Sequence, residues 1–249
     1  MTAHTARKVA QVTLGFWVLK ICATTLGETA GDLLSMTLGL GYALSSIVLL
    51  TLFAATLTAQ WRARRFHPLL FWTVIVSTST AGTTISDFMD RTLGLGYATG
   101  SALLACLLVG VLIAWRAGVG TLSVDDVRGA RAEGFYWTAI LVSNTLGTAL
   151  GDYLADDSGL GFLGGAVLIG AAIALLALMS VFTRANRIAL FWAAFVLTRP
   201  FGATFGDLLT KPIAAGGLGI GTVGSSAVLL AILVAGIGFS MRAQTQDRR

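Results

Sequence analysis

Apolar positions along the chain fall into eight blocks of roughly 20 residues, separated by short basic or glycine-rich breaks. The blocks cover about 10–36, 40–60, 68–90, 95–115, 134–155, 160–183, 187–210 and 218–241. A helix rising ~1.5 Å per residue crosses a ~30 Å hydrocarbon core in about 20 residues. The pattern therefore predicts an all-α membrane protein with eight transmembrane helices. A break at 117–133 reads as a linker, and Ser123 followed by Asp126 has the form of a helix N-cap, so a short surface helix is expected there.

A longer period runs beneath the hydropathy. Trp17, Trp72, Trp137 and Trp192 each open an odd-numbered span. Ten residues after each comes Gly27, Gly82, Gly147 or Gly202, and fifteen after each comes Asp32, Asp87, Asp152 or Asp207. The letters GLG follow at 39–41, 94–96, 159–161 and 217–219, the last displaced by three residues. Such self-similarity marks a repeat architecture. The expected unit is a helical hairpin used four times in tandem, at approximately 9–66, 67–116, 134–185 and 186–241, within a single transmembrane domain spanning 1–249. Trp17 to Trp137 and Trp72 to Trp192 are both 120 residues, which groups the units as a pair of pairs.

The Trp-x9-Gly-x4-Asp spacing resembles a bacterial integral-membrane family built from four tandem repeats of unknown function, each with two transmembrane segments and one tryptophan. The resemblance covers about Val9 to Met241. It implies the fold and a bacterial cytoplasmic-membrane location, and it supplies no chemistry.

Chemistry must come from the polar positions inside the apolar blocks. Small residues four apart recur in every odd span: Gly27/Gly31, Gly82/Ser86, Gly147/Gly151 and Gly202/Gly206. In lipid such pairs let helix backbones approach closely, so their expected role is packing. Beside them Thr25, Glu28, Thr29 and Asp32 share one helix face at i, i+3, i+4 and i+7. The later copies give Thr80, Thr83, Thr84 and Asp87, then Thr145, Thr148 and Asp152, then Thr204 and Asp207. A charge at the bilayer centre costs ~2.5–3.5 kcal/mol on the gentlest scale, so these stripes should face one another. Fifteen residues is ~22 Å of helix. With the tryptophans as interfacial anchors, the aspartates lie toward the opposite side.

Charge sets the topology. The termini and even-numbered connections hold Arg7, Lys8, Arg62, Arg64, Arg65, Arg116, Arg128, Arg131, Arg184, Arg187, Arg242, Arg248 and Arg249; the odd-numbered connections hold only Arg91 and Lys211. By the positive-inside rule both termini are cytoplasmic. The net charge of +5 is then topological, and no nucleic-acid partner is expected. The outer side carries seven acids against two bases, a mouth that concentrates cations.

Charges found in one copy alone are not needed to fold the repeat. Lys20, Glu28 and Arg199 lie at +3, +11 and +7 from their tryptophans, successive turns of one face. They predict an intramembrane network of Glu28 with Arg199 or Lys20. Pro200, inside the seventh span, removes a backbone donor and is a candidate hinge.

The four aspartates have two readings. They cap the adjoining helix or accept from the GLG turns, holding each hairpin shut, or they line a cation path. Carboxylates, hydroxyls and carbonyls are the ligand set of Mg²⁺, Ca²⁺ or Mn²⁺. On the second reading Glu28, Asp32, Asp87, Asp152, Asp207, Thr25, Thr29 and Thr84 bind the ion, with Glu28 and Asp32 the metal ligands.

The expected function is a secondary transporter or exporter of a cation, a divalent metal ion by preference, coupled to H⁺ or Na⁺, since the chain has no G-x4-GK[ST] loop. The alternatives are a non-transporting scaffold or sensor, and a carrier of a small anionic solute held by Lys20 and Arg199. An enzyme is not expected: no span contains a histidine, and no activated Ser or Cys constellation is present. No cofactor is implied. The partners are the lipid bilayer and a small cation, with a homo-oligomer left open.

Overall fold

The computed structural model describes residues 9–63, 66–127 and 129–246, with side chains as far as Arg242. Seven of the bases used for orientation (Arg7, Lys8, Arg64, Arg65, Arg128, Arg248 and Arg249) lie outside the described residues. Eight long helices form: α1 Leu14–Asp32, α2 Gly41–Arg62, α3 Pro68–Asp87, α4 Tyr97–Val119, α5 Ala130–Asp152, α6 Gly161–Phe182, α7 Arg187–Thr210 and α8 Thr222–Gln246. No strand occurs among the described residues.

Local chemistry sets the helix ends. The Thr13 hydroxyl accepts from the Phe16 N–H at 3.2 Å, Pro68 opens α3, and Asn186 Oδ1 accepts from the Ile188 and Ala189 N–H groups at 2.9 and 3.2 Å. Helices α1, α3 and α5 each end at the repeated aspartate, and the chain then widens into one π turn: Leu33–Thr37, Phe88–Thr92 and Tyr153–Asp157. The reversal that follows needs left-handed backbone twice, supplied by glycine pairs such as Gly39 (φ 71°) and Gly41 (φ 73°).

The fourth copy departs from the letters. Its left-handed pair is Gly219 (φ 68°) and Gly221 (φ 80°), and the Leu218 N–H bonds to the Leu208 carbonyl as the Leu38 N–H does to Leu33. The structural equivalent of the GLG turn is therefore Gly219-Ile220-Gly221, two residues beyond the match at 217–219. Backbone sign, which spelling does not report, decides the correspondence.

The odd helices α1, α3, α5 and α7 form a closed inner ring in chain order, with α7 returning to α1. Each even helix packs chiefly on the next odd helix rather than on its own: α2 on α3, α4 on α5, α6 on α7, and α8 on α1. The repeats thus interlock, and α8 closes the circle. Glycine sets the inner spacing. A Cβ on Gly82 would lie 2.9 Å from the Asn144 carbonyl carbon, and one on Gly202 would lie 2.8 Å from that of Thr24. Gly27 and Gly147 face Ser79 and Arg199 in the same way. Gly31, Gly151 and Gly206, one turn on, meet Thr83, Ala203 and Glu28.

Six of the helices are long and apolar enough to cross a membrane: α2, α3 with its π turn, α4, α6, α7 and α8. The chain is a multi-pass membrane protein. The sequence reading gave eight spans; α1, with Lys20, Glu28 and Asp32, and α5, with Arg131, Glu133 and Asp152, are not among the six. Only 17% of the apolar window of α4 is buried, against 72% for α3.

The tryptophans point inward rather than outward as interfacial anchors. Trp72, Trp137 and Trp192 are buried and join Phe16, Phe71, Tyr136, Phe191 and Phe195 in an aromatic plug at one end of the ring, with Trp17 half-buried at its edge. The linker lies over this end. A single 3-10 turn forms at Val124–Asp126, Val124 and Val127 are buried, and the Trp192 indole donates to the Leu122 carbonyl at 3.0 Å.

Gly202→Ala is expected to destabilise the protein by about 1–3 kcal/mol, because the new methyl overlaps the α1 backbone. Gly110→Ala on α4, with nothing within 4 Å of its added Cβ, should be neutral or stabilising by up to about 1 kcal/mol. Denaturant titration of the two purified variants compares them.

Candidate functional site

Because the inner helices are equivalent, equal offsets from the tryptophans form layers across the ring. The +7 layer is Thr24, Ser79, Asn144 and Arg199, and the +11 layer is Glu28, Thr83, Thr148 and Ala203. Arg199 starts in the first layer and ends in the second. Its stem passes the bare face of Gly147, and the small Ala203 side chain leaves the fourth place of the +11 layer for the guanidinium.

There Arg199 meets Glu28. Nη1 donates to Glu28 Oε2 at 2.9 Å and to the Thr24 carbonyl at 3.3 Å. Nη2 donates to Thr148 Oγ1 at 2.7 Å, to Thr83 Oγ1, and to the Ser79 carbonyl at 3.3 Å. Both threonine hydroxyls lie 3.3 Å from Glu28 Oε2, so each can accept from the guanidinium while donating to the carboxylate. The Arg199 side chain is fully buried and that of Glu28 is 4% exposed. One ion pair thereby ties all four inner helices.

One turn beyond lie the four aspartates, all buried. They do not cap the helices, and the glycine-turn N–H groups bond elsewhere: those of Leu40, Leu95 and Ile220 to backbone carbonyls, that of Leu160 to the Ser158 hydroxyl. Two bases bridge the aspartates in pairs. Arg91 contacts Asp87 at 3.0 Å and Asp152 at 3.1 Å; Lys211 contacts Asp207 at 3.0 Å and Asp32 at 2.8 Å. Each base lies four residues after the aspartate of its own repeat and reaches across to a neighbour. This is the pair of pairs in chemical form. Burial works against the Lys211 ammonium, but Asp207 and Asp32 outweigh it and hold its pKa above the ordinary lysine value.

Most of the acids expected at the mouth are engaged. Four of the seven are held by Arg91 and Lys211, and Asp90 is buried against Ser86, which donates to it at 3.2 Å. Asp156 and Asp157 remain exposed. Ligand atoms of Glu28, Asp32 and Asp207 lie within 4.8 Å of one another, close enough to share one cation.

The threonines expected as ion ligands are otherwise engaged. Thr25 donates to the Ile21 carbonyl and Thr84 to that of Ala81. Thr29 turns toward α8, where Ser226 donates to it at 2.8 Å. The residues that complete the site are instead Thr83, Thr148, Arg91 and Lys211. The first two stand at the offset of Glu28 in their own repeats, and the bases sit at an i, i+4 spacing from an acid, a signal readable in the sequence.

Lys20 does not join the ion pair. It is fully buried, its Nζ has no hydrogen-bond partner among the described residues, and it sits 4.1 Å from the centre of the Phe195 ring. Helix α7 runs unbroken through Pro200, whose carbonyl accepts from the Thr204 hydroxyl at 3.0 Å.

Four segments, residues 15–66, 70–118, 135–186 and 190–246, match the pattern of one protein family, described as a repeat of unknown function (DUF347). No curated protein and no solved structure matches the chain.

Removing one partner of a buried ion pair strands the other. Arg199→Met and Glu28→Gln are each expected to cost about 3–5 kcal/mol, while the double variant recovers most of that loss. Denaturant titration of the three proteins measures the coupling.

Proposed function

The chain belongs to the DUF347 repeat family, and from that premise we propose that it is a non-enzymatic secondary transporter of a cation, a divalent metal ion by preference, driven by H⁺ or Na⁺. One observation carries the reading. Five buried carboxylates, Glu28, Asp32, Asp87, Asp152 and Asp207, meet three contacting bases among the described residues, Arg199, Arg91 and Lys211. Unpaired buried charge is costly, so a deficit of two positive charges favours a bound cation or protons. Glu28, Asp32 and Asp207 form the cation-binding set, and Lys211 already bridges two of them as a cation would.

The bilayer is the cytoplasmic membrane of a bacterium. The aromatic plug and both termini face the cytoplasm, and the aspartates face outward, as the distribution of basic residues favours. Arg199 stands at the inner edge of the site and holds Glu28 until cargo arrives.

A second reading, a non-transporting scaffold, draws on the same bridges. Arg91 and Lys211 each join aspartates of neighbouring repeats, which is what a purely structural clip would do.

Flux separates the two. In proteoliposomes the wild-type protein should move Mn²⁺ or another divalent ion down an imposed gradient. Asp32→Asn and Asp207→Asn, which spare the Arg199–Glu28 pair, should lower the rate at least about tenfold, the equivalent of ~1.4 kcal/mol. Unchanged flux in these variants, with the protein folded, removes the site; no flux in the wild type favours the scaffold.

A further inference from the structure

One charged group takes no part in the arrangement above. Lys20 lies in the +3 layer, where the other three repeats carry Ile75, Ile140 and Phe195. Its side chain is inaccessible to solvent. An ammonium has three donors to satisfy, yet among the described residues this nitrogen finds only the face of the Phe195 ring. A structural lysine at this depth would be expected to have a carboxylate or carbonyl partner. An unpaired ammonium in such a place carries its full desolvation cost, so its proton is exchangeable rather than locked.

The surroundings fix what the proton senses. Helix α1 packs against α3, α7 and α8. Helix α3 offers Ile75 at this level, and the buried face of α8 offers Leu229, Leu233 and Ile237. On α1 itself, the Cys22 thiol donates to the Leu229 carbonyl at 3.3 Å. Helix α7 supplies Phe195 and, one turn further, Arg199. Beyond Arg199 comes Glu28. Lys20, Arg199 and Glu28 thus stand in file, and Lys20 and Glu28 are separated by eight residues of α1, ~12 Å.

Resting on the cation reading above, we propose that Lys20 is the proton-coupling group of the carrier. A proton on its Nζ and a cation on Glu28, Asp32 and Asp207 each weaken the binding of the other. When the cation arrives, one N–H bond of the ammonium breaks, the electron pair stays on nitrogen, and the proton passes to water. When the cation leaves, the amine recovers a proton. At an effective dielectric near 20, a unit charge ~12 Å away changes proton affinity about tenfold, so each unit of net charge delivered to the carboxylates is felt at Lys20. The result is exchange of cation for H⁺, which selects protons over Na⁺ as the driving ion.

The test is Mn²⁺ binding to the purified full-length protein by calorimetry across about pH 5.5–8.5, a range bracketing shifted lysines. Wild-type affinity should rise with pH. Lys20→Met, an apolar side chain in an apolar layer, should fold at least as stably, bind Mn²⁺ and lose up to about a tenfold rise per pH unit, one proton's share of the linkage. Lys20→Arg keeps the charge without an exchangeable proton. It should bind Mn²⁺ more weakly than Lys20→Met and lose the same share of the pH dependence, so it carries the test if the methionine variant fails to fold. Equal pH dependence in wild type and folded variants overturns the assignment of Lys20 and leaves the cation reading standing. No Mn²⁺ binding by the wild type overturns both.

Discussion

The Arg199–Glu28 ion pair is the constraint on which the inner ring depends. A guanidinium and a carboxylate buried together are tolerated only when geometry is good and the remaining donors are satisfied. Here the two terminal nitrogens reach α1, α3 and α5 from α7 through two hydroxyls and two backbone carbonyls, while Nε finds no partner among the described residues. The helices cannot separate without stranding both charges. The glycine contacts follow from the same demand: Gly147 admits the arginine stem, and Gly206 admits the Glu28 stem. Close packing and buried charge are two sides of one arrangement, since in lipid neither would be favoured without the other.

Symmetry and its breaking divide the labour. What repeats is architectural: the inner helix, the glycine spacing, the glycine turn and the outer helix laid on the next repeat. What occurs once concentrates charge on the axis. At +11 the four copies read Glu, Thr, Thr and Ala, and at +7 Thr, Ser, Asn and Arg. A single acid and a single base occupy layers otherwise filled by neutral groups. At the aspartates the symmetry is only halved. Arg91 in the second repeat and Lys211 in the fourth play the same part, although one sits in a π turn and the other just past α7, where that turn is absent.

The layers also order the site along its axis. The aromatic plug closes one end, Lys20 follows in an apolar layer, then the ion pair, then the aspartates with their two bridging bases. Charge spacing of about one turn in a dry interior lets each group feel the next. The polar stripe of α1 is divided: Thr29 lies on the side of the helix turned to α8, while Glu28 and Asp32 face the ring.

Much of this was legible in the chain. Hydropathy fixed eight helices, and the Trp-Gly-Asp period fixed four equivalent units, because both depend on regular spacing that a helix converts directly into position. Treating equal offsets as equal depths placed Arg199 between Lys20 and Glu28, one turn from each. It could not choose between Arg199 and Lys20, since that choice turns on which side chain finds room, and Gly147 and Ala203 provide it for Arg199 alone. Nor could it show that each outer helix lies on the following repeat, that the tryptophans close the ring instead of meeting lipid, or that the last glycine turn lies two residues beyond its spelling. Those features depend on how the fourth copy returns to the first, and on backbone sign. The sequence by itself determined the unit, its number and its unmatched charges; closure of the ring decided which of those charges meet, because contact between residues more than 170 positions apart exists only once α7 packs on α1.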